Sequence, residues 1–288
     1  MIIVVVGPTA VGKTKMSVEL AKIYNGEIIN ADSTQVYKGM DIGTAKVTKD
    51  EMCGIKHHLL DIVDVTDMYT VYDYQRDARL KIDEIKSKGK IPILVGGTGL
   101  YIKAALYNYD FVNTDNLDYI DCLEDEELID RLSENDKTSI DTNNRRRLIS
   151  SIKNELSSDT QIKDKDNNLY DDVYFIGLTT DRNVLYKRID ERFDRMIVPL
   201  VDEVKNFYKM GIRSKALNTA IGYKELYEFF DDKKTFVEVV DECKQSSRNY
   251  AKRQYTWFNN QMDVKWFNVD FDNFQNTIDE VVNYIETN

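Results

Sequence analysis

Met1-Ile2-Ile3-Val4-Val5-Val6-Gly7-Pro8-Thr9-Ala10-Val11-Gly12-Lys13-Thr14 runs an apolar, β-branched segment straight into a glycine-bounded loop. The loop is a complete GxxxxGK(S/T) motif, the P-loop. Glycines at both ends let successive backbone N–H groups from Gly7, Pro8's neighbour Thr9, Ala10, Val11 and Gly12 converge on one anion. Lys13 adds a positive charge and Thr14 a hydroxyl suited to Mg²⁺. Such a nest reads charge and shape rather than a nucleobase, so it predicts a polyphosphate ligand without naming which one.

Further strand and helix signals extend outward from this loop. Met16, Leu20 and Ile23 fall on one face of a helix that Asn25-Gly26 stops. Glu27 to Ala31 reads as a second strand and delivers Asp32, Ser33, Thr34 and Gln35 to its C-terminal end, the edge where open α/β sheets bind ligands. His57 to Asp61 reads as a short buried strand whose histidines belong to the core. Val71, Tyr74, Ala78, Ile82 and Ile85 recur at helical spacing up to Gly89. Ile91 to Val95 is apolar on both faces, as a central parallel strand is, and runs into Gly96-Gly97-Thr98. Asp181 to Met196 reads as a helix carrying Arg182, Lys187, Arg188, Arg192 and Arg195.

The fold expected is α/β: a P-loop NTPase-like parallel sheet flanked by helices, with a helical insertion. Residues 1–110 form the first part of the core, 111–169 the insert, and 170–288 the completion of the core with C-terminal helices.

The 288 residues carry a formal charge of -11, which argues against a nucleic-acid partner until its distribution is considered. Asp110 to Asp141 holds twelve acids against Arg131 and Lys137. Lys205 to Lys224 and Lys244 to Arg253 hold five and four bases with no acid, so basic strips capable of meeting phosphates persist. Cys53, Cys122 and Cys243 fit neither a disulfide framework nor a zinc site and are expected to be reduced thiols. No apolar stretch approaches the roughly 18 residues that span a bilayer, so a cytoplasmic protein with no membrane partner is expected.

Three functions use such a loop: group transfer from a diphosphate, phosphoryl transfer from ATP by a small-molecule or nucleotide kinase, and a non-catalytic, RNA-binding nucleotide switch. The strand at Ile91 to Val95 ends in Gly-Gly-Thr rather than in an acid that could hold Mg²⁺, which disfavours the kinase.

Eight stretches then appear in order: GPTAVGKT at 7–14, ADSTQVYKGMDIGTAK at 31–46, HHLLD at 57–61, PILVGGTGLYIKA at 92–104, NNRRRLI at 143–149, ERFDRM at 191–196, AIGYKEL at 220–226 and AKRQYTWF at 251–258. Over about nine tenths of its length the chain resembles the tRNA dimethylallyltransferases, or tRNA isopentenyltransferases. The resemblance implies that the P-loop holds dimethylallyl diphosphate and consumes no ATP, and that the acceptor is N6 of adenosine 37 in the anticodon stem-loop of tRNA. Transfer to a weakly nucleophilic amine needs a base, for which Asp32 is the candidate, and a neutralised leaving group, for which Lys13, the P-loop amides, Mg²⁺ at Thr14 and an Arg of the 181–196 helix are the candidates; the resemblance prefers Arg192 over Arg182 for that Arg. Thr98 would orient the reacting centre. Asp32 to Gln35, Arg145, Arg146, Arg147, Gly222, Tyr223, Lys224, Lys252 and Arg253 would meet tRNA, and the enzyme would work as a monomer. The chain departs from the family pattern at Ser150, where an Arg commonly stands and for which Arg145 would substitute one turn earlier. It departs again at Pro199, a usual Gly, and at Lys56, a common Pro.

Overall fold

A computed structural model describes residues 1–108, 117–156 and 169–288. Chain contacts divide it into two compact units, one made of residues 1–106 and 168–288 and the other of residues 107–167. The sequence reading draws these limits at 111 and 169.

The larger unit is built on six strands: β1 (Ile2–Val6), β2 (Gly26–Asn30), β3 (His57–His58), β4 (Ile91–Val95), β5 (Val173–Thr179) and β6 (Lys265–Asn268). Their order across the sheet is β3-β2-β4-β1-β5-β6, and every pairing is parallel. All five residues of β1 are fully buried, as expected of a central strand covered on both faces. Because the strands are parallel, the loops after β1, β2 and β4 emerge on one edge, where the P-loop, Asp32 and Gly96 to Thr98 gather. β3 is shorter than its apolar pattern predicts. Leu59 and Asp61 adopt left-handed backbone angles (φ 60° and 54°), which end the ladder after two residues.

The helices of this unit are α1 (Lys13–Ile23), α2 (Val71–Ser87) and α3 (Gly99–Leu106), and the second unit follows in sequence with α4 (Asp125–Arg131), α5 (Glu134–Ser139) and α6 (Arg145–Leu156). The chain then returns to the larger unit with α7 (Arg182–Lys209), α8 (Lys215–Thr219), α9 (Tyr223–Phe230), α10 (Phe236–Gln261) and α11 (Phe274–Thr287). Met16 and Leu20 of α1 are buried as read, whereas Ile23 is 48% exposed at the helix end. A capping box at Thr70 and Asp73 starts α2, which buries Tyr74, Ala78, Ile82 and Ile85.

The helix expected over 181–196 continues to Lys209 through Pro199. Proline removes one backbone donor, at a cost of about 3 kcal/mol, but Leu200, Val204 and Phe207 beyond it are buried and hold the last turns in place. α7 thereby spans two cores. Leu185 and Ile189 pack in the cluster against the sheet, and Phe193 to Phe207 in a cluster shared with α8, α9, α10 and the segment around Val36 to Met40. Between the two clusters the helix turns Arg188, Arg192 and Arg195 toward one cavity.

The smaller unit has its own apolar cluster of Ile120, Leu128, Leu132, Leu148 and Ile152. Among the described residues no helix is long and apolar enough to cross a membrane.

Candidate active site

The loops at the C-terminal edge of β1, β2 and β4 open onto a cavity of about 610 Å³ bounded also by α7 and α10. Gly7 has φ 141°, a value side chains rarely adopt, and a Cβ there would lie 2.5 Å from the Leu178 carbonyl oxygen. Only glycine lets β1 turn into the loop so close to β5. Lys13 enters the cavity from the first turn of α1, and its Nζ donates to the carbonyls of Gly7 and Pro8 at 2.9 Å each. Burial pulls the Lys13 pKa down to about 8 against the attraction of Asp32, and Arg192 lowers it further. Arg192 Nη1 lies 3.3 Å from Thr9 Oγ1, Arg188 Nε donates to the Ala10 carbonyl at 3.2 Å, and the Arg188 guanidinium stacks 3.8 Å from the Phe271 ring centroid. Burial also lowers the Arg192 pKa.

Lys13, Arg188, Arg192, Arg195 and Arg253 all line the cavity, against only two acids, Asp32 and Glu191. Among the described residues none of the five cations is in a salt bridge. Converging, uncompensated cations around backbone amides are an anion site.

Asp32 stands opposite. Its Oδ1 accepts from the backbone N–H of Thr34 (2.9 Å) and from the Thr34 hydroxyl (2.6 Å). Its backbone is fixed by Asn30, whose side chain also reaches the Leu59 carbonyl. The second oxygen, Oδ2, accepts no hydrogen bond from the described residues and is available to a substrate proton. Ser33, Thr34 and Gln35 line the same wall, and the Gln35 amide donates to the Thr44 carbonyl. Thr14 likewise lines the cavity, its Oγ1 without a hydrogen-bond partner among the described residues, so it can ligate a hard cation alongside ligand oxygens and water. No group of three or more acidic, His or Cys side chains suited to hold a metal ion occurs among the described residues.

The structure regroups several expected residues. The Thr98 hydroxyl accepts from Ser33 N–H at 3.0 Å and approaches Ser33 Oγ at 3.3 Å, so it orders the Asp32 loop and does not itself line the cavity. Arg182 is exposed, stacks on Tyr186 and lies away from the cavity. Ten residues separate it from Arg192, roughly 80° round the helix, whereas Arg188 and Arg195 share the Arg192 face. Tyr223 is fully buried and donates its hydroxyl to Glu203. Glu203 in turn accepts from the N–H groups of Asp41, Ile42 and Gly43. Gly222 is buried at the start of α9 and donates to Glu225. Gly222 and Tyr223 therefore shape the loop before Thr44 and offer no surface to an RNA; Lys224 is exposed.

Of the expected strip on α10, Lys244 pairs with Asp194 (2.5 Å) and Arg248 with both oxygens of Asp190 (2.6 and 2.7 Å), while Lys252 and Arg253 remain exposed. The other strip loses one base, while Lys205, Lys209, Lys215 and Lys224 are exposed and in no ion pair among the described residues. Arg213 pairs with Asp231 and lies over the rings of Tyr208 and Tyr227. In the smaller unit Arg145 pairs with Asp125 and donates to the carbonyls of Asp121 and Leu123, so it staples that unit internally instead of replacing the missing Arg at Ser150. Arg146 and Arg147 are exposed.

Among the cavity residues that escaped the sequence reading as site residues are Arg188 and Arg195, one helical turn either side of Arg192, Tyr250, whose hydroxyl meets Thr98 and Gln254, and Gln254 itself, which is buried. The signal available for Tyr250 and Gln254 was their spacing of four on a helix, beside Arg253.

A parallel P-loop sheet whose cavity sets a cluster of cations against Asp32 at the end of the neighbouring strand places the chain among P-loop α/β proteins with an anion site at the sheet edge. The family model described as IPP transferase matches residues 35–261, and the chain belongs to that family. A tRNA dimethylallyltransferase of Anoxybacillus flavithermus is 46% identical over 99% of this chain and 96% of its own length. The crystal structure of a tRNA isopentenylpyrophosphate transferase from Staphylococcus epidermidis superposes with a TM-score of 0.77 at 38% identity, covering 99% of this chain and 98% of that one. A eukaryotic dimethylallyltransferase crystallised acting on tRNA gives a TM-score of 0.84 at 27% identity, covering 98% of this chain and 77% of that one.

Proposed function

We propose that this protein transfers the dimethylallyl group of dimethylallyl diphosphate to N6 of adenosine 37 in tRNA. The observation that carries the reading is that five cations, none of them in a salt bridge among the described residues, line one cavity with Asp32, whose Oδ2 accepts no hydrogen bond from those residues. The N6–C1 bond forms as the C1–O bond breaks. Diphosphate leaves with that electron pair, and the N6 proton passes to Asp32 Oδ2. An exocyclic adenine amine is a weak nucleophile, so both halves of the site are needed: a base for the proton and fixed charge for the departing diphosphate. Lys13, Arg192 and Arg188 supply the charge together with the P-loop amides. Mg²⁺ at the Thr14 hydroxyl would add charge neutralisation on the diphosphate oxygens. The target base would leave the loop stack to enter the cavity, at a cost of a few kcal/mol.

RNA would be met by Lys252, Arg253, Lys224, Arg146 and Arg147, exposed bases that no internal ion pair holds among the described residues. The protein would act as a monomer in the cytoplasm, where tRNA is found. A kinase reading is weakened by the loop after β4, which offers Gly96, Gly97 and Thr98 in place of a metal-binding acid. Incubation with labelled dimethylallyl diphosphate and total tRNA, with and without ATP, tests the reading. Label is expected in tRNA without ATP; ATP-dependent phosphorylation of an acceptor and no prenyl transfer would overturn it.

A further inference from the structure

The side-chain amide of Gln254 lies 5% exposed between two loops of the cavity. Its Oε1 accepts the backbone N–H of Thr9 at 2.9 Å, and its Nε2 donates to the Gly97 carbonyl at 3.1 Å. The partners fix the amide's orientation, since Thr9 N–H can only donate and the Gly97 carbonyl can only accept. The fit is close: a Cβ on Gly97 would collide with the Gln254 amide nitrogen, so this loop admits only glycine there. One helical turn earlier the Tyr250 hydroxyl meets Gln254 and Thr98. The side chain of Thr9 reaches Arg192.

Two tethers therefore hold the P-loop, Lys13 on the carbonyls of Gly7 and Pro8, and Gln254 on the amide of Thr9. Their fates differ when an anion arrives. Lys13 must release the carbonyls to reach the anion. Gln254, buried, uncharged and bonded at both ends with Tyr250 beside it, has no charge to draw it to the anion. We propose that Gln254 is a positioning residue that keeps the P-loop in its anion-accepting shape and in register with the Thr98 loop, with the Thr9 N–H committed to the protein and not to the diphosphate. The inference rests on the reading above that the P-loop takes the donor diphosphate.

The probe is inorganic diphosphate with Mg²⁺, titrated calorimetrically into the full-length protein, with circular dichroism and melting curves to verify folding. Gln254→Met keeps length and bulk but loses both hydrogen bonds. Its diphosphate affinity is expected to fall about tenfold, the KM for the prenyl donor to rise in parallel, and the KM for tRNA to stay put. Gln254→Glu keeps an acceptor for Thr9 but turns a carboxylate oxygen toward the Gly97 carbonyl. Protonation restores the missing donor, so its affinity relative to the parent is expected to recover as the pH falls from 8 to 6. A folded Gln254→Met that binds diphosphate as the parent does, or a Gln254→Glu ratio flat with pH, overturns the proposal while leaving the transferase reading intact. A parent protein that binds no diphosphate overturns that reading, and the proposal with it.

Discussion

β2 brings a carboxylate to each end of its course, and the two live in opposite electrostatic worlds. Glu27, at the N-terminal end, is 4% exposed and accepts from His58 Nε2 at 2.7 Å and from Lys90 Nζ at 2.8 Å. Burial raises its pKa, but the bonds from Lys90 and His58 outweigh that and hold it down at about 2. Burial keeps His58 below the usual imidazole range, so near neutrality it is the neutral ring, donating through Nε2–H. Asp32, just past the C-terminal end, takes hydrogen bonds only on Oδ1, from its own loop. The cations it faces are bonded to backbone carbonyls, a threonine hydroxyl and an aromatic ring, but to no acid. Charges that close on one another build structure, and charges left open await a ligand.

The comparison breaks most sharply at Asp32. Asp32→Ala is expected to leave diphosphate and tRNA binding intact and to slow single-turnover transfer on the order of 10²- to 10⁴-fold, the contribution of a positioned general base. Asp32→Asn keeps the shape, so a rate near the parent's would mean that Asp32 orients adenine without taking its proton. Next in size is Lys13→Ala, for which diphosphate affinity should drop about 100-fold, the loss of charge-assisted hydrogen bonds. The parent's affinity should also depend on pH with a definite sign. Lys13 is protonated below about 8, and the anion needs the charged form, so affinity should fall by up to roughly tenfold per pH unit above that point. Lys13→Arg, charged throughout, should flatten the profile, and a steep profile in that variant would move the titration elsewhere.

At the closed end, Glu27→Ala should leave diphosphate affinity untouched and lower unfolding stability by about 1–3 kcal/mol, because the buried His58 donor loses its partner. The parent's Glu27 contribution is complete above the unfolded pKa of 4.5 and disappears as pH falls through about 2. Urea melts from pH 6 to 2 should therefore show a shallower acid loss in the variant. The smallest effect separates paired from unpaired bases on α10. Replacing Lys252 and Arg253 with Ala should reduce the salt slope of tRNA binding by about two. The same change at Lys244 and Arg248 should leave the slope alone, and an equal loss in both variants would refute the distinction.

What the sequence discloses and what it hides follow the range of the forces involved. The P-loop, β1, β2, β4 and α2 are legible because glycine spacing, β-branched runs and helical periodicity are local. Asp32 is legible as a carboxylate at a strand end. The fate of the basic strips is not, because it is decided across helices. Asp190 and Asp194 lie four apart on α7, Arg248 and Lys244 four apart on α10, and the pairs match in antiparallel register only after folding. Tyr223 reads as a motif residue available to RNA, yet burial and Glu203 claim it. Gln254 looks like one more polar residue on a helix until Thr9 and Gly97 close on it.

The P-loop motif is complete by Thr14, but the loop is not. Gly7 packs on the Leu178 carbonyl, Ala10 is held by Arg188, Thr9 by Gln254, and Gly12 lies against Phe274. Strand β5, which pairs with β1, also arrives late, after the residues of the second unit. A ribosome therefore makes the phosphate-binding signature well before the parts that shape it. During synthesis the nascent chain carries an apolar β1 with no partner on its β5 side, a slow, non-local closure that leaves strand edges exposed to aggregation. A chain released early would bear the motif in its sequence and have no finished cradle.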